Sequence, residues 1–157
     1  MMFTYRLVRL IETHADRLAG SLLEKVQNCP DLPGYRAVPQ DELKERVYEI
    51  YRHLGSWLLN NNEQDIAVRY AGIGVRRAEQ RVPLSQLILA IVLTKENLWE
   101  YLKREALIDR PVEVFGELEL LQMLEQFFDR AIYHAAVGYE SEIEAQTVQA
   151  GAARAAK

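Results

Sequence analysis

Chain breakers are few and grouped, and this limits most severely what these 157 residues can fold into. Three of the five prolines and one glycine fall in CPDLPGYRAVP, residues 29–39, while Pro83 and Pro111 stand alone. Between the breaks, apolar side chains return every three or four residues, the period of a helix with one buried face and not the alternation of a strand. The fold class that follows is all-α, a single compact bundle of about five helices. One domain suits this length, and a core of that size needs no disulfide or metal staple.

The first helix is predicted over about 3–27, with Phe3, Leu7, Leu10, Ile11, His14, Leu18 and Leu22 on one face. A second opens near Gln40, where Asp41 and Glu42 favour the helix dipole, and turns Leu43, Val47, Ile50, Leu54, Trp57 and Leu58 inward until NNNEQ, residues 60–64, ends it. A third, about 64–81, contains Gly72 and Gly74. Each costs about 1 kcal/mol relative to alanine inside a helix, so their presence predicts close packing against a neighbour.

The run LSQLILAIVL, residues 84–93, is apolar around nearly its whole circumference. Such a helix must be enclosed by others, so the segment 84–106 is predicted to be central, with Leu87, Ile88, Ile91 and Val92 buried. The basic VRRAEQR just before it reads as the C-terminal end of a peripheral helix, where cations complement the dipole. If the third and fourth helices form an antiparallel hairpin turning at 82–83, Arg69 lies opposite Glu96 and Arg77 opposite Ile88. Arg77 then finds no charge on the fourth helix, and either its head turns toward another helix, another subunit or a ligand, or its stem covers Ile88 with the head in water.

The DRP at 109–111 closes the fourth helix, and a fifth runs from about Val112 through Phe115, Leu118, Leu121, Leu124, Phe128, Ala131, Ile132, Ala135 and Tyr139 toward Ile143. At about 1.5 Å per residue it spans about 45 Å, more than a compact domain of this size needs, so its end is predicted to project. Between 112 and 144 it carries eight acidic residues against Arg130 alone. A solvated face explains that, and so does a surface that selects a basic partner. The terminal AGAARAAK has no apolar period and reads as frayed.

A net charge of −4 leaves no basic footprint for phosphates, which argues against a nucleic-acid partner. One cysteine, Cys29, allows no internal disulfide, and Arg6, Arg9, Glu12 and Asp16 interrupt any apolar signal core. No apolar run approaches the ~20 residues that span a bilayer. A cytoplasmic protein is expected.

A family resemblance rests on Gly74, Arg77, Ala78, Glu79 and Gln80, a G-x-x-R-A-E-Q pattern followed by Pro83-Leu84 and an apolar helix ending in Leu98-Trp99. With DLPGYR, residues 31–36, and DEL, residues 41–43, it resembles the N-terminal domain of the RsbRD-type RsbT co-antagonists over roughly residues 10–140. The resemblance implies a helical, non-catalytic input module of bacterial signalling, some relatives being similar to globins that lack haem. It also implies a homodimer acting on an output domain or a separate regulatory protein. No output domain follows within the 157 residues, which leaves a piece of a longer protein or a chain acting on a separate partner. Arg81 stands where the family pattern has glycine, and a turn without a left-handed cap is therefore expected. Residues 1–147 are assigned to the sensory or regulatory domain and 148–157 to a frayed or disordered tail.

No nucleophile motif, phosphate loop or paired-carboxylate pattern points to an enzyme, so no catalytic residue and no cofactor is assigned. His14, His53 and His134 lie on three different helices without metal-ligand spacing, and none is assigned to a metal. His14, on an apolar stripe, with His53, Trp57 and Trp99, are the candidates for a pocket between helices, the competing reading being a stand-alone small-ligand or haem-binding sensor. Arg77, Gln80 and Glu140 are the candidates for partner contact.

Overall fold

The computed structural model describes residues 2–60, 62–104 and 111–156, and their side chains over 8–60, 62–104 and 121–156. Five α-helices occur in it: α1 (Met2–Asn28), α2 (Gln40–Asn60), α3 (Glu63–Glu79), α4 (Leu84–Arg104) and α5 (Pro111–Ala155), with a short 3-10 turn at Pro33–Ala37 between α1 and α2. There is no strand among the described residues. The expected inward positions Phe3, Leu7, Val112, Phe115 and Leu118, and the closure of α4 before Pro111, lie outside the described side chains or residues.

Two pairings organise the bundle, α1 against α2 and α3 against α5, with α4 laid across α1 and α5. The α3–α5 contact is unusually close because small residues face each other. A Cβ built on Gly74 would lie 2.0 Å from the Ala135 carbonyl oxygen, and one on Gly138 would lie 2.1 Å from that of Ala71. The expectation of close packing therefore holds at Gly74 and not at Gly72, whose Cβ would meet open space. The expected α3–α4 hairpin is not formed, since α3 turns its small face to α5 and scarcely touches α4. Accordingly Arg69 pairs within α3 with Asp65 at 2.9 Å, and Glu96 is exposed.

In α4, Leu87 and Ile91 are buried, but Ile88 and Val92 are only half-buried. The run is thus not enclosed on all sides as expected, because α3 does not cover its outer face. What α4 contributes instead is a buried polar tie. Asn97, fully buried, donates from Nδ2 to the Leu18 carbonyl and to the Tyr51 hydroxyl, both at 3.0 Å. It accepts on Oδ1 from Ser21 at 3.0 Å and Lys25 at 2.9 Å, and Tyr51 passes its own proton to the Thr94 carbonyl at 3.1 Å. Every polar atom of the Asn97 amide is used, which makes the burial tolerable and fixes α1, α2 and α4 in one register.

The α3–α4 turn corrects another expectation. Arg81 has φ 60, the left-handed conformation that normally selects glycine. Val82 N–H bonds the Arg77 carbonyl and Arg81 N–H the Ala78 carbonyl, both at 3.0 Å, so a full Schellman cap forms without glycine. Completely buried Val82 anchors it, and its carbonyl accepts from the Tyr139 hydroxyl at 2.6 Å. That anchoring outweighs the left-handed cost at Arg81, on the order of 1 kcal/mol.

At 45 residues α5 is about 68 Å long. From Glu140 onward it is exposed apart from half-buried Glu142 and Gln146. The helix continues to Ala155, over most of the stretch 148–157 whose sequence suggests fraying, since alanine is the strongest helix former. No helix among the described residues is long and apolar enough to cross a membrane.

Candidate functional site

The residues that carry the sequence pattern, scattered between 31 and 80, meet at one place. Leu32, Tyr35 and Leu43 are buried, and Arg77 in the last turn of α3 comes to the Tyr35 ring beside Leu43. Arg77 is 3% exposed, and its guanidinium carbon lies 5.6 Å from the centroid of the Tyr35 ring, a cation–π arrangement. Its Nη1 donates to Gln80 Oε1 at 2.7 Å and to Glu42 Oε1 at 3.3 Å. Gln80 Nε2 donates to both Glu42 oxygens at 3.2 Å, and Arg76 adds Nε to Oε1 at 3.0 Å.

Glu42 is therefore the hub, a single carboxylate receiving two arginines and an amide. The hydrogen bond from Arg76, with both guanidinium charges, holds its carboxyl below the usual carboxylate range. Burial pushes the Tyr35 hydroxyl up to about 12 against the opposing pull of Arg77, so it stays neutral. Gln86 closes the site from α4 by accepting from the Gly34 N–H at 2.7 Å. Such an array of opposite charges ties the last turn of α3 to the start of α2.

This junction stands where α5 leaves the bundle. Gly74, one turn before Arg77, meets Ala135 and Tyr139, and Tyr139 grips the α3–α4 turn through Val82. Beyond Tyr139 the helix is on its own.

Of the sequence-derived candidates, Arg77 and Gln80 lie in this cluster, with the Arg77 head on Glu42 and Gln80 for reasons independent of the hairpin, which is not formed. Glu140 is exposed on the projecting part of α5. His53 and Trp57 come together in a pocket of ≈ 260 Å³ between α2, α3 and α5. His14 and Trp99 are elsewhere. His14 has non-helical φ/ψ (−110, 15) at a kink in α1, with its ring 5.7 Å from that of Tyr101. Trp99 donates to Glu125 at 3.0 Å. His134 lies 3.9 Å from Glu63, so the three histidines sit in three separate surroundings.

Sequence reading passed over Glu42 as a hub. Glu42 had a sufficient explanation as a first-turn acid, although it is the centre of the DEL element.

No curated protein and no solved structure matches the chain. The family model for the RsbT co-antagonist protein rsbRD N-terminal domain matches residues 8–154. That span contains every residue of the cluster and nearly all of the projecting helix, and the family is one of regulatory signalling domains. The chain belongs to the family of RsbT co-antagonist rsbRD N-terminal domains.

Proposed function

We propose that this domain is a non-catalytic, cytoplasmic signal-input module that dimerises and hands its conformational state to a regulatory partner along α5. The observation that carries this reading is the projecting half of α5. It continues for some four turns past Tyr139 without a core of its own, yet keeps Ile143 41% exposed between Glu142 and Glu144, and Val148 68% exposed. A lone helix of that length is marginal in water and gains stability by packing on something else. Upstream, Tyr133 and Val137 are exposed on the side of α5 that carries Val148, at the edge of the bundle, with Ile143 about 140° round the helix from Val148. Glu140 belongs to the surface offered to the partner. Arg77 and Gln80 act one step back, fixing α3 and thereby the angle at which α5 leaves.

Light scattering over a range of concentrations tests it, comparing the natural chain with Ile143→Glu combined with Val148→Glu. The expected result is twice the chain mass for the former and the chain mass for the latter, with equal helix content and melting temperature. A natural chain that stays monomeric at high micromolar concentration contradicts the dimer.

A further inference from the structure

The projecting half of α5 sorts its charges by position. Glu140, Glu142 and Glu144 stand at its start, Arg154 and Lys157 at its end, and residues 145–153 between them carry no charge. Glu140, Glu144 and Arg154 are exposed, and none of them enters an ion pair among the described residues. Glu144 and Arg154 of one chain are ten residues apart, about 15 Å along the helix, so they do not reach each other. The dipole of α5 accounts for Arg154 in its last turn, but not for three acids in the middle of a 45-residue helix.

These charges border a common face. With 3.6 residues per turn, Glu140, Glu144, Val148 and Ala155 fall within about 80° of arc, in line with exposed Tyr133 and Val137 upstream, and Arg154 lies about 40° beyond Glu140. Val148, 68% exposed, is the large apolar side chain of that face in the projecting half.

We infer that a second copy of this chain docks on this face with its α5 running antiparallel. The inference rests on the dimer proposed above and sets its geometry. In a parallel pair each residue meets its own counterpart, Glu144 on Glu144 and Arg154 on Arg154, and like charges set opposite one another weaken the contact. An antiparallel pair about a two-fold axis crossing α5 near Gln149 brings Glu144 of each chain level with Arg154 of the other, twice by symmetry. Val148 then lies beside the axis, where the two apolar side chains are closest.

Two measurements on the whole chain test it. The dimer dissociation constant is read by sedimentation equilibrium in low salt, where exposed charge pairs are least screened. Arg154→Glu sets acid against acid at both ends and should weaken the dimer about tenfold, and adding Glu144→Arg to the same chain should restore it to within about threefold. A nitroxide on Ser141→Cys, in a Cys29→Ser background, should report an interchain distance of about 25 Å by pulsed electron resonance, against about 10 Å for a parallel pair. A dimer indifferent to Arg154→Glu, a double variant weaker than the single one, or a distance of about 10 Å overturns the antiparallel docking and leaves the dimer standing. A natural chain that stays monomeric overturns both and gives the face to a different protein.

Discussion

The two halves of α5 belong to one continuous helix and answer to different rules. From Leu124 to Tyr139 one side of the helix is consumed by the bundle, while Tyr133 and Val137 stay exposed on the other: Phe127, Phe128, Ala131 and Ala135 are completely buried, and Gly138 is pressed against the α3 backbone. From Glu140 to Ala155 no residue is buried, and after Glu140, Glu142 and Glu144 the stretch is mostly alanine and neutral polar residues with isolated Ile143 and Val148. The junction between these regimes is held by Tyr139 on Val82 and by the Glu42 cluster behind it. Residues that fill the bundle are explained by the bundle. Those that continue past it form a helix without a core of its own, the part proposed above to meet a partner.

The comparison can be broken most severely at the small-residue contact. Gly138→Val places branched carbons on a backbone carbonyl that cannot move away, so α3 and α5 must separate. A loss of about 4 kcal/mol or more in urea unfolding is expected. The matching substitution in the projecting half, Gly151→Val, meets nothing, and a change within about 0.5 kcal/mol is expected there.

Next in size is the hub. Glu42→Ala leaves the Arg77 guanidinium buried with only Gln80 and the Tyr35 ring, at a cost of about 2–3 kcal/mol by thermal or urea unfolding. The same carboxyl gives a pH signature. Its pKa is lower in the folded state, so its contribution is complete above the unfolded value, near 4.5, and is lost as pH falls through the depressed folded value. Natural chain and Glu42→Gln should therefore converge in stability as acid is added below that value, and parallel curves would show that the cluster contributes no such term.

The smallest effect has the opposite sign. Arg81→Gly removes the left-handed strain at the α3–α4 turn and should raise stability by about 1 kcal/mol, read as a higher melting temperature. An unchanged or lower value would mean that the arginine side chain contributes as much as its backbone costs.

The five helices and their approximate limits were legible because a 3.6-residue period survives in each, and the projecting end of α5 followed from length alone. Neighbour choice was not legible. Adjacency along the chain suggested α3 against α4, whereas Ala71 and Gly74 are matched in size to Ala135 and Gly138, some sixty residues away. Ile88 and Val92 are half-exposed for the same reason. The cap at Arg81 was misjudged because residue preference at one position was weighed without the two hydrogen bonds and the buried valine that enforce it. At the site, the motif elements were visible as separate words, and only folding shows that Tyr35, Glu42, Arg77 and Gln80 form one contact. Trp57 and His53 were recognisable as pocket candidates.

The claim that α5 is half structure and half output is tested most directly by hydrogen exchange followed amide by amide along the helix at two protein concentrations. At low concentration, amides from 124 to 139 should exchange only with global unfolding, while those from 143 to 152 exchange with the weak protection of an isolated helix. At high concentration the second group should gain protection and the first should not change. Equal protection along the whole helix at both concentrations, or no gain beyond Tyr139 as concentration rises, would contradict the account.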